Sequence, residues 1–250
     1  MAGEAASRAA LDLPGRQEEL LKVVVALGKP VVLVLLNGRP LSINWAAENV
    51  PAILEAWEPG SEGGHAIADI LFGDVNPGGK LPVTFPRKAS HAPLYYARNL
   101  THSPEGSPTY RSRYWDGPTT PLYPFGFGLS YTTFSITNLK VSASQVKVGS
   151  EAAVIADVTN TGPVAGDEVV QLYIHQKAGS DSRPMRELKG FERVTLKPGE
   201  TKTVTFPLGP AELGYWSTNA GKWVQEAEAF DIWVGSDSLA TLHADLSVVR

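Results

Sequence analysis

A chain of 250 residues has room for one large domain or two ordinary ones, and 43% hydrophobic with 19% charged residues is a globular rather than a disordered composition. The formal charge of −4 gives no electrostatic reason to expect nucleic acid or an anionic membrane as partner. Cysteine is absent, which excludes disulfides, thiolate nucleophiles and cysteine metal sites.

No basic segment followed by an apolar one is visible as a signal peptide at the N-terminus. The first predicted element is a helix over QEELLKVVVAL, residues 17–27, with Leu20, Leu21, Val24 and Leu27 sharing one face. Gly28 and Pro30 end it. Val31 to Leu36 is a continuous apolar run, far short of the roughly 20 residues that span a bilayer. It reads as a strand covered on both faces of a parallel sheet. PAILEAW, residues 51–57, is a second short apolar run. Ser61 then caps a helix over GGHAIADILFG that aligns Ile67, Ile70 and Leu71. This is α/β order with only two strands, too few to cover their own edges. The open edge is expected to be covered by a second copy of the chain, by strand exchange or by another domain.

From Thr133 onward the period changes to two. Val154, Ala156 and Val158 form one inward set, and Val170, Leu172 and Ile174 another. Val204, Phe206 and Leu208, then Phe230, Ile232 and Val234, continue the pattern. Turn signals at Asn160–Gly162, Lys197–Glu200 and Gly235–Asp237 separate them. Short strands so spaced predict an antiparallel sandwich. The fold class is therefore α/β followed by all-β, with a partial α/β domain over 1–132 and a β-sandwich over 133–250. The segment 87–123 lacks periodicity and reads as a long loop rich in Pro, Ser, Arg and aromatics.

Several stretches together resemble one family. GSEGGHAIADILFGDVNPGGKLPVTFP (60–86) is similar to the C-terminal α/β domain of glycoside hydrolase family 3, the β-glucosidase family. PLYPFGFGLSYTTF (121–134) resembles the join into that family's fibronectin type III-like domain, and SRPMRELKGFERVTLKPGETKTVTF (182–206) resembles that domain itself. LPGRQEELLKVVVALGKPVVLVLLNGRPL, residues 13–41, fits in the same order. The resemblance implies that an N-terminal barrel carrying the nucleophilic Asp is missing, together with the first strands of the α/β sandwich. Met1 then reads as an internal methionine of a longer protein. The family's Gly-Glu followed shortly by Arg is matched by Gly3-Glu4 and Arg8, which makes Glu4 the acid/base candidate and Arg8 a substrate-side residue.

Retaining hydrolysis needs two carboxyl groups roughly 5 Å apart, one attacking and one giving and taking the proton. The proton donor needs a raised pKa, which Arg8 by its charge opposes. Tyr114 and Trp115 in the long loop are candidate sugar contacts, as are Tyr110, Arg111 and Arg113, unless they only pin the loop to the sandwich. Trp216, Trp223 and Trp233 read as core or edge packing. His65, His91, His102, His175 and His243 lack paired-ligand spacing, so no metal is expected, and the chemistry requires no cofactor. Ser130 in GLSYT is not a nucleophile elbow. The expected partner is a β-glucoside or oligosaccharide. The function read from the chain is the C-terminal portion of a retaining β-glucosidase. A non-catalytic carbohydrate-binding or interaction module, and a weak hydrolase of another specificity, are the alternatives.

Overall fold

The computed structural model of the chain describes residues 2–3, 5–99 and 114–250. They fall into two compact units, one drawn from Met1–Val75, Val83–Leu94 and Asp116–Tyr123, the other from Asn76–Pro82, Tyr95–Trp115 and Pro124–Arg250. The first is α/β and the second is a β-sandwich.

The α/β unit opens with a minimal antiparallel hairpin, β1 (Ala2–Gly3) and β2 (Ala6–Ser7). Helix α1 (Gln17–Ala26), strand β3 (Val32–Leu35), helix α2 (Asn44–Asn49), strand β4 (Ala52–Glu55) and helix α3 (Gly63–Phe72) follow. Glu18 and Glu19 sit in the first turn of α1, where its positive dipole end favours them. Gly28, at φ 69°, ends α1 in a conformation that costs glycine little. Helix α2 has no counterpart in the sequence reading, because six residues are too few to display a helical period. Ser61 does not cap α3; Glu62 takes that position, without a side-chain cap bond. Gly63 is required there, since a Cβ would lie 2.5 Å from Pro59 Cγ.

Strands β3 and β4 pair in parallel, from Val32↔Ala52 to Leu35↔Glu55. Their sheet has two strands among the described residues. Leu21, Leu35, Leu41, Ile43, Ala46 and Val50 form the core. The run 31–36 is not covered on both faces: Leu35 is 4% exposed, whereas Val32 is 50% and Leu36 65%. Helix α1 likewise buries only Leu21 of its expected apolar face, and Leu20, Val24 and Leu27 point to solvent with Val23. Two strands offer less surface than that face needs.

Among the described residues the sandwich has a three-stranded and a five-stranded sheet. The first orders β10 (Thr201–Leu208), β7 (Ala152–Asn160) and β5 (Phe134–Val141). The second orders β6 (Gln145–Lys147), β14 (Leu242–Val249), β13 (Ala229–Gly235), β8 (Gly166–Gln176) and β9 (Glu187–Leu196). A separate ribbon pairs β11 (Tyr215–Ser217) with β12 (Lys222–Val224). The alternating residues read from the sequence fill one core, with Val154, Val158, Val170, Leu172, Leu208 and Ile232 fully buried. Strand β8 departs from simple alternation, because Gln171 and Tyr173 on its other face are buried as well. Gln171 Nε2 donates to the carbonyls of Gly126 and Ser236, and Tyr173 OH donates to Gln171 Oε1. Trp216 and Trp223 are not core. They face each other across the ribbon at 6.4 Å, edge to face, and are more than half exposed.

Candidate functional site

Three places bear on the expected chemistry. In the N-terminal hairpin, Ala2 pairs with Ser7 and Gly3 with Ala6, and Ala5 takes φ 55° in the turn. Left-handed backbone at a residue other than glycine is uncommon and marks a constrained turn. Glu4, the acid/base candidate, lies outside the described residues, as do Tyr110, Arg111 and Arg113. Arg8 is described, and its guanidinium is engaged by Asp12: Nη1 donates to the backbone carbonyl at 2.8 Å and Nη2 to Oδ1 at 3.2 Å.

The second place is the long loop. Asn44 Nδ2 donates to Arg87 O at 2.6 Å, and Arg87 Nε donates to Thr120 O at 3.1 Å. Lys88 pairs with Asp116 at 2.7 Å and holds its carboxyl below the ordinary range. Phe85 is buried between Trp57 and Tyr123, edge to face on both sides. These bonds fix the two ends of the loop. Tyr114 is 42% exposed and Trp115 92% exposed, so neither pins the loop by burial.

The third place was not reached from the sequence. At the carboxyl ends of β3 and β4, Asn37, Glu55 and Trp57 are joined by side-chain bonds. Their separation of 18 residues gives no motif; the parallel register brings them together. The same applies to Asp231, His243 and Asp245 on β13 and β14, whose ligand-type atoms lie within 4.8 Å of one another. There the ammonium of Lys177 already stands 3.0 Å from Asp231 and 2.9 Å from Asp245 and offsets part of their charge.

Residues 1–131 match the glycosyl hydrolase family 3 C-terminal domain, and residues 168–238 match the fibronectin type III-like domain. The chain belongs to glycoside hydrolase family 3. Among its relatives is the periplasmic beta-glucosidase of Salmonella typhimurium, 46% identical over 241 residues, which are 95% of this chain and 31% of that protein. The beta-xylosidase of Formosa agariphila is 48% identical over 238 residues, 95% of this chain and 32% of that protein. A crystal structure of the Listeria innocua beta-glucosidase in complex with glucose superposes with a TM-score of 0.94 at 39% identity, covering 99% of this chain and 35% of that one. This family 3 chain thus spans about a third of the length of the relatives it matches, and it corresponds to their C-terminal part.

Proposed function

We propose that this chain is the C-terminal portion of a retaining β-glucosidase that removes terminal β-D-glucosyl residues. Residues 1–132 would form the α/β part and 133–250 the fibronectin type III-like part. Glu4 is the acid/base: it protonates the leaving oxygen while a carboxylate on a barrel attacks the anomeric carbon, and then takes a proton from the water that releases the sugar. Arg8 stands beside this motif on the substrate side. Tyr114 and Trp115 line the leaving-group side. The observation that carries this reading is the family match over 1–131 with Gly3-Glu4 and Arg8 in motif order.

The open β3–β4 sheet and the exposed leucines of α1 support a further part of it. Apolar surface of this kind is covered in a stable assembly, by the portion that the relatives have beyond this chain or by a second copy. A β-xyloside is the second substrate reading, supported by the 48% identity to the Formosa agariphila beta-xylosidase.

The test uses an aryl β-glucoside. The 250-residue chain alone is expected to give no turnover above background. Joined to the N-terminal two thirds of a family 3 β-glucosidase, it is expected to become active. In that enzyme Glu4→Gln should lower kcat by about 10²–10⁴ for poor leaving groups. Azide, which needs no base, should restore deglycosylation and yield the glycosyl azide. Full activity of Glu4→Gln, or of the chain alone, refutes the assignment.

A further inference from the structure

The carboxyl ends of β3 and β4 carry a cluster that packing alone does not explain. The ladder's last register is Leu35↔Glu55, and Ala56 N–H still donates to Leu35 O at 3.0 Å. The chain then turns at Trp57 with φ 53°. A bulky residue in the left-handed region costs on the order of 1–2 kcal/mol. Glu55 holds that turn: Oε1 accepts Trp57 N–H at 3.0 Å, and Oε2 accepts Asn37 Nδ2–H at 3.3 Å. Asn37 Nδ2 also donates to Arg39 O at 2.8 Å, which fixes the orientation of the amide. Its Oδ1 is buried with no hydrogen-bond partner among the described residues. An unmet buried acceptor costs about 1–3 kcal/mol.

Glu55 is half-buried, and its hydrogen bonds come from neutral donors, so burial pushes its carboxyl up. A carboxylate has sites for about four hydrogen bonds, and two are used here. The Trp57 ring is half-buried against Phe85 at 5.9 Å. Strain, an unmet acceptor and spare carboxylate sites therefore coincide where open parallel sheets bind their ligands. The spare positions are acceptors, so the ligand must donate. An anion would be repelled by Glu55 and by Glu58, whose Oε1 lies 2.8 Å from where a Cβ on Gly38 would stand. A pyranose presents adjacent hydroxyl donors and a flat C–H face suited to an indole.

We propose that Glu55 and Trp57, with Asn37 positioning the carboxylate, form a saccharide subsite of the α/β unit, in which the two Glu55 oxygens accept from neighbouring hydroxyls and Trp57 contacts the ring. Choosing a glucoside as the sugar rests on the family 3 reading; the donor and acceptor pattern does not.

The 250-residue chain, labelled at its indole nitrogens, is titrated with cellobiose to about 100 mM. The Trp57 indole signal, assigned with Trp57→Phe, is expected to shift with a millimolar Kd. Glu55→Gln should weaken binding ~tenfold or more, about 1.4 kcal/mol, because it leaves one acceptor where two are needed. Its Tm should stay within a few degrees, since the amide oxygen keeps the bond to Trp57 N–H and Asn37 Nδ2, which loses its bond to Glu55, keeps the one to Arg39 O. No Trp57 shift in the unsubstituted chain overturns the proposal whatever the variants do. So does an equal shift with glycerol, or a folded Glu55→Gln chain that binds as well. The readout is binding, so an active joined enzyme without this shift sinks the subsite alone, and the shift without activity sinks the glucosidase reading alone.

Discussion

The two units treat their apolar residues differently. In the sandwich, Val154, Ala156, Val158, Val170, Leu172 and Leu208 have no exposed surface at all. In the α/β unit the core is smaller, and Leu20, Val23, Leu27 and Phe72 are each more than 60% exposed. The contrast follows from sheet closure. Two facing sheets bury each other's inner residues, whereas a two-stranded parallel sheet leaves both edges and most of its flanking helices uncovered. The sandwich thus satisfies its own burial, whereas the described residues of the α/β unit leave apolar surface exposed. Functional surface is expected on the unit with the exposed apolar face, and that is where the Gly3-Glu4 motif and the β3–β4 strand ends both fall in the chain.

The largest effect that sharpens this contrast is a cavity in the closed core. Leu172→Ala should cost about 2–5 kcal/mol, the range for large-to-small changes at packed sites. The measurement is denaturant unfolding followed by amide exchange of β8. A loss below about 1 kcal/mol would mean that the sandwich core is as loose as the α/β one. In the unsubstituted chain, β7, β8 and β13 amides should exchange more slowly than those of β3 and β4.

A smaller loss is expected from the sandwich's most buried ion pair among the described residues. Lys80 Nζ lies 2.9 Å from Glu168 Oε1, with side chains 12% and 6% exposed. Lys80→Met leaves the Glu168 carboxyl without its ion-pair partner and should cost about 1–3 kcal/mol, the range for a buried acceptor left unmet, while adding Glu168→Gln should recover part of it. A double-variant loss equal to the sum of the two single losses would show that the pair is not coupled.

The sandwich's alternation was plain from the sequence because each inward set repeats every second residue over a long strand. The α/β order was plain as well, since α1, β3, β4 and α3 have strong apolar runs bounded by Gly and Pro. What could not be read was tertiary. The outer face of β8 is buried only because Gly126 and Ser236 meet Gln171. The exposure of Trp216 and Trp223 depends on a ribbon that pairs with neither sheet among the described residues. The link between Asn37 and Glu55 exists only once β3 and β4 are in parallel register. The Gly3-Glu4 motif was visible by family resemblance alone, since a single Glu near Arg8 carries no distinctive physical pattern.

The next effect depends on pH. Glu226 accepts from Ser180 Oγ at 2.5 Å, from Gln176 Nε2 at 3.1 Å and from Tyr215 OH at 3.0 Å. These bonds, that of Ser180 first, lower its pKa from the ordinary 4.5. Its folded pKa is thus below the unfolded one, so the stabilisation is complete above pH 4.5 and is lost as pH falls through the folded value. Acid titration should loosen Ser180 and Tyr215 together, seen as faster exchange at the Ser180 amide. Glu226→Gln should remove that step and lower stability at neutral pH. A Ser180 amide whose exchange shows the same pH dependence in Glu226→Gln as in the parent chain would break the assignment.

The smallest change in stability, and the sharpest test of an unfinished α/β unit, comes from the outer face of α1. Leu20 is 64% exposed, Val23 62% and Leu27 69%. A residue that gains no burial on folding contributes little, so Leu20→Glu with Leu27→Lys should change stability by less than about 0.5 kcal/mol. The same pair of changes places charge on the face that a covering partner would need. Light scattering should therefore show less self-association in the variant than in the parent chain, and a joined barrel should rescue the variant less well. If the double variant instead loses several degrees of Tm in isolation, α1 is packed in solution against part of this same chain, and the α/β unit closes on itself as the sandwich does.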